Sequence, residues 1–146
     1  TSWTAAGALT TAHVQLTSAG TSTAALAVGG ASPSPGTNVE EYNGTSWTAN
    51  PAMNTGKTSA GGAGTSTSAM AFGGGPPSLP LLTESYNGTS WTEVADLATG
   101  ATLGGGVGAN NTAALFFGGN VGPPTDVTTT QEWDGAPASV KTVTTS

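Results

Sequence analysis

Trp3, Trp47 and Trp91 stand 44 residues apart, and the residues around them repeat with them. Ser-Trp-Thr occurs at 2–4, 46–48 and 90–92, Tyr-Asn-Gly-Thr-Ser-Trp-Thr occurs at 42–48 and 86–92, and an apolar residue (Leu9, Met53, Leu97) follows each Trp by six positions. A Gly-Gly pair closes an apolar run in every copy, at 26–30, 70–74 and 115–119. The third copy then runs to Gln131-Glu132-Trp133-Asp134-Gly135, where Trp133 stands in place of Tyr42 and Tyr86. Such self-similarity restricts the chain to an array of like units stacked on one another.

A period in the forties, without helical periodicity and with short β-compatible runs broken by Gly, Pro and Asn-Gly, predicts an all-β chain of four-stranded β-propeller blades. The first strand of each unit is small and Gly-rich (Val14–Ala19, Thr58–Gly64, Thr102–Gly108), and the second is apolar (Ala24–Val28, Ser68–Phe72, Ala113–Phe117). The third carries the Tyr or Trp (Val39–Tyr42, Thr83–Tyr86, Thr129–Trp133), and the fourth is the Ser-Trp-Thr segment. Asn43-Gly44 and Asn87-Gly88 read as two-residue type I′ hairpin turns, and Asp134-Gly135 repeats the device. The expected organisation is a single repeat domain, 1–146, with blades at roughly 5–48, 49–92 and 93–146.

The apolar strand ending in Gly-Gly, the Tyr 12 residues beyond Gly30 or Gly74, and the Trp five residues after that resemble the kelch repeat over nearly the whole chain. Within that family the chain is most similar to Thr/Ser/Gly-rich arrays of phage and of marine viral or bacterial surface proteins, often tail-fibre-like. The resemblance implies a propeller whose first strands line a central channel and whose fourth strands lie at the rim. It also implies a virion, extracellular or cell-surface setting and a non-catalytic role in adhesion or host recognition. Those arrays usually carry a basic residue ten positions after the Trp, where this chain has His13, Lys57 and Ala101.

Propellers have about four to eight blades, so three blades do not make a closed ring. The array is also permuted by one strand, since it starts on a fourth-type strand (Ser2-Trp3-Thr4) and reaches its last third-type strand at Trp133. The plainest closure is a head-to-tail homodimer of six blades, in which residues 2–4 of each chain complete the last blade of the other. Val140-Lys141-Thr142-Val143-Thr144 is a competing fourth strand, and a longer array containing these three blades is a further alternative.

Composition narrows the function. Eight carboxylates face two lysines, a formal net charge of −6, which leaves no basic footprint for nucleic acid. There is no run of about 18 apolar residues for membrane insertion, and no cysteine for disulfides or thiolate metal sites. No cofactor, metal site or catalytic constellation is expected, because the one histidine has no metal-ligand spacing around it and Glu40, Glu41 and Glu84 read as solvent-facing or bound to turn amides. The repeated tryptophans read as packing groups in preference to sugar platforms. His13 and Lys57, placed just before the channel-lining strand, are the candidate ligand-binding residues at one channel mouth, with a surface glycan or receptor protein as ligand.

Overall fold

The computed structural model describes residues 2–31, 35–75, 81–122 and 125–135, which form eleven strands in three antiparallel sheets and no helix. The first sheet has the order β1 (Thr17–Thr21), β2 (Ala24–Val28), β3 (Val39–Tyr42), β4 (Trp47–Asn50). The second repeats it with β5 (Gly61–Thr65), β6 (Ser68–Phe72), β7 (Thr83–Tyr86) and β8 (Trp91–Val94). Among the described residues the third has three strands, β9 (Gly105–Asn110), β10 (Ala113–Phe117) and β11 (Thr130–Trp133), with β11 at its edge. The expected tail strand at 140–144 lies outside the described residues.

Register follows the repeat. Tyr42 pairs with Ala25, Tyr86 with Ala69 and Trp133 with Ala114, while across the next ladder Tyr42 pairs with Trp47 and Tyr86 with Trp91. These aromatic pairs lie against each other, with ring centroids 5.1 Å and 5.0 Å apart. The third sheet lacks the corresponding tryptophan. Its β9–β10 ladder holds a bulge between Ala113 and Ala114, and this absorbs the one residue by which Gly118-Gly119 falls late in the repeat.

Two sequence expectations need correction. The first strands begin three residues later than expected, because Gln15, Ser59 and Leu103 sit at φ of 57°, 54° and 61°, a left-handed conformation that interrupts an extended chain. The Asn-Gly hairpins are four-residue connections with positive φ only at Gly44 and Gly88. Asn43 Oδ1 accepts from the Thr45 and Ser46 amides and Asn87 Oδ1 from the Thr89 and Ser90 amides, so the side chain supplies the turn bonds. Residues 2–4 pair with no strand among the described residues, and Trp3 is fully exposed.

The core lies in the seams between sheets, because successive residues of a second strand point to opposite faces. Leu26 and Val28 of β2 meet Ala69 and Ala71 of β6, with Met53, Tyr86 and Trp91 closing the cluster. Met70 and Phe72, on the other face of β6, meet Ala114 and Phe116 of β10, with Phe72 and Phe116 edge to face at 5.7 Å. The first strands approach so closely that a Cβ on Gly106 would stand 2.5 Å from the Gly62 carbonyl oxygen. Larger residues cannot occupy that position without separating the second and third sheets.

Trp91 is 6% exposed whereas Trp47 is half-buried, so truncation should not cost the same at the two positions. Trp91→Ala should lower stability by about 3–5 kcal/mol and Trp47→Ala by clearly less, measured by denaturant melts. Trp91→Phe should keep most of that stability, since the indole N–H is buried without a hydrogen-bond partner. Equal melting midpoints for the two alanine variants would contradict the packing described.

Candidate functional site

The loop that leaves each fourth strand crosses to the next sheet and brings backbone N–H groups into a partly buried seam. Glu40 on β3 receives them from Thr10 (2.7 Å) and Thr11 (2.9 Å). Glu84 on β7 does the same for Asn54 (2.8 Å) and Thr55 (2.9 Å), and also accepts from Asn54 Nδ2. At the equivalent place on β11 stands Gln131, whose amide accepts from Thr99 N and donates to Thr99 O. Each latch ties the end of one repeat to the third strand of the next. Burial alone would raise the Glu40 carboxyl, but the bonds from Thr10 and Thr11 and the nearby His13 outweigh it and hold it below its ordinary range. Both oxygens of these carboxylates are engaged with amides, which is structural work and leaves no lone acid or base at either position.

Lys57 lies where the sequence places a ligand-binding residue at a channel mouth, but its side chain is directed into the seam between the first and second sheets. It is 2% exposed, and its ammonium donates to the Leu82 carbonyl at 2.6 Å. Burial lowers its pKa, partly offset by Glu84, Asp96 and Glu93. His13 is half-buried, with both ring nitrogens enclosed and without a partner, and Ala101 is fully buried. Two of these positions share a backbone role, in which the Lys57 carbonyl accepts from Gly30 N and the Ala101 carbonyl from Gly74 N, stitching sheet to sheet. Charge and position in the sequence suggest exposure. The repeat equivalence with a buried alanine is the signal for the interior.

At the opposite end of the sheets the hairpins present 20–23, 43–46 and 87–90 to solvent, none of them charged. Next to the first of them the first strands line an open depression of about 340 Å³, with Gly20, Thr21, Gly64, Val107 and Gly108 among its walls. The Asn43 and Asn87 side chains fix the backbone of the second and third of these loops. The sequence marks them only as turns.

Among the described residues the third sheet is one strand short of the other two. Leu115 (37% exposed), Phe117 (44%) and Val107 (55%) occupy the places of Met70, Phe72 and Ala63, which are 2%, 2% and 4% exposed in the second sheet. A cleft lined by Phe72, Leu97, Phe116 and Trp133 opens beside β11, the outermost described strand of the third sheet. In the neighbouring seam Trp91 fills the corresponding space over Tyr86 and Met53.

No family model matches the chain, and no curated protein matches it. Among solved structures it is similar to one described as that of YjhT, with a TM-score of 0.71 and 16% identity over 88% of this chain. The likeness covers 45% of the YjhT chain, so the present chain spans under half of that structure. At this identity the similarity concerns the fold alone.

The two titrating groups give opposite expectations. Glu40, whose pKa is depressed, contributes stability that is present above the unfolded value and is lost as pH falls through the folded one. Glu40→Gln should therefore cost about 1–3 kcal/mol at pH 7, and the gap to the unaltered chain should close in acid. Lys57 is also depressed, but as a cation: through the window between its lowered value and the ordinary lysine range the unfolded chain binds more protons, so stability rises with pH. Lys57→Met should abolish that rise while keeping the midpoint at pH 7 equal or higher. Denaturant melts between pH 3 and about 10.5 check both, the upper limit being the ordinary lysine pKa.

Proposed function

We propose that the chain is a non-catalytic, kelch-like β-propeller module of three blades that serves adhesion or host and receptor recognition on a virion or cell surface, with a surface glycan as its ligand. The observation that carries this reading is the uncharged, solvent-facing array of Asn, Ser and Thr hairpins at one end of the sheets, the end at which the first strands line an open depression. Neutral sugars are recognised by fixed hydroxyl and amide groups, and the Asn43 and Asn87 turns hold such groups still. The propeller reading is supported by three like sheets whose first strands converge and by the fold likeness to YjhT. Because Lys57 is occupied within a seam, the recognition surface is assigned to the hairpin end, away from the position the sequence suggested.

A second reading, a structural or decoration module whose function is assembly, is favoured by the exposed apolar residues Leu115, Phe117 and Val107 of the third sheet. A glycan array separates the two. Reproducible binding to a defined neutral sugar, weakened several-fold by Thr45→Ala with Thr89→Ala and unaffected by Lys57→Met, is the expected result. Silence across the array would leave the assembly reading in its place.

A further inference from the structure

The bonds that cross from one sheet to the next recur with the repeat, and each series stops at the same two faces. The Ser59 amide donates to the Gln15 carbonyl and the Leu103 amide to the Ser59 carbonyl, at 2.9 Å and 2.8 Å. Among the described residues that ladder ends in the Gln15 N–H at the first sheet and the Leu103 C=O at the third. The series from Gly30 to Lys57 and from Gly74 to Ala101 would continue from Gly119 N to the carbonyl of a residue in the place of His13, and among the described residues no backbone bond from Gly119 N is made. Among the described residues β11 is the outer strand of the third sheet, and the cleft beside Trp133 lies next to it at the end of the seam between the second and third sheets. The opposite face carries the missing parts, including Trp3, the repeat equivalent of Trp47 and Trp91.

From this coincidence of open groups we infer that the third sheet docks the first sheet of a second copy, and that Trp3 of each chain fills the cleft beside Trp133 of the other. The inference rests on the propeller reading for the direction of closure. The register is set by the intact sheets: as Tyr86 pairs with Trp91 and Ser85 with Thr92, so Trp133 pairs with Trp3 and Glu132 with Thr4. The Glu40 latch on Thr10 and Thr11 holds residues 9–13 on their own first sheet, as the Glu84 latch holds the loop after β4 on the second. Residues 2–6 are thereby directed off the open side of the first sheet. Trp3 at the cleft lies on Trp133 as Trp91 lies on Tyr86. Docking also covers Leu115, Phe117 and Val107, giving the third sheet the two buried faces that the second already has.

The chain has no cysteine, so introduced thiols report the contact directly. A chain carrying Thr4→Cys and Glu132→Cys should oxidise to a covalent dimer of twice 14.0 kDa. Neither single variant should cross-link alone, but the two mixed should. Native mass spectrometry should show the unaltered chain as a dimer, and Trp3→Ala should weaken association at least about 30-fold, the loss of a buried tryptophan anchor. A 14.0 kDa species without cross-links, or a disulfide closed within one chain, overturns the inference. So does a dimer that survives removal of residues 2–4 but is lost on removal of 136–146, which would give the edge to the C-terminal segment. Assembly without glycan binding would sink the ligand reading alone, and glycan binding by a monomer would sink this one alone.

Discussion

Burial of both faces of each sheet is the requirement on which the rest of this structure depends. In β6, Ala69 and Ala71 are covered by the first sheet while Met70 and Phe72 are covered by the third, so the second sheet is stable only as the middle of a stack. Strand alternation makes this unavoidable for an apolar second strand, because whichever residues face one neighbour, the intervening ones face the other. The charged composition is low for the same reason. A molecule whose sheets are interior on both sides keeps its polar groups at the strand ends, in hairpins and connecting loops.

The seams then have to satisfy the backbone that passes through them, and the repeat solves this with very few side chains. Glu40, Glu84 and Gln131 take up the crossing amides, Tyr86 reaches Asn50 across the first seam at 2.6 Å, and Asn111 joins Ser68, the Tyr86 carbonyl and the Trp133 indole across the second. Burial raises the Tyr86 hydroxyl, opposed in part by the bond to Asn50, and it remains a protonated donor. Lys57 belongs to this set. A cation beside Glu84 that bonds a carbonyl is a joint between sheets, and its replacement by Ala101 in the next copy shows that the joint needs the position's backbone carbonyl more than any particular side chain.

The repeat makes the strand order and most strand bounds legible in the residues themselves: the second strands lie where the apolar runs are, and the Tyr-to-Trp pairing follows from a five-residue spacing. The first strands begin later than their composition suggests, because positive φ at Gln15, Ser59 and Leu103 has no signature in those residue types. The turns are longer than Asn-Gly implies, because the Asn side-chain bonds that stretch them to four residues depend on backbone geometry and not on the pair itself. Glu40 and Glu84 are visible as repeated acids, and of solvation and bonding to turn amides, the seams show the second.

Sequence alone determined the unit, its four-strand plan and the phase of the array, since these follow from which residues recur and at what spacing. Whether a given position faces solvent or a seam was decided only by the tertiary structure. Lys57 and Ala101 are equivalent in the repeat and both buried, whereas Leu115 and Met70 are equivalent and differ in exposure, because burial depends on whether a neighbouring sheet exists and not on the residue's own unit. The same dependence leaves Trp3, Trp47 and Trp91, all three set in Ser-Trp-Thr, exposed, half-buried and buried in turn.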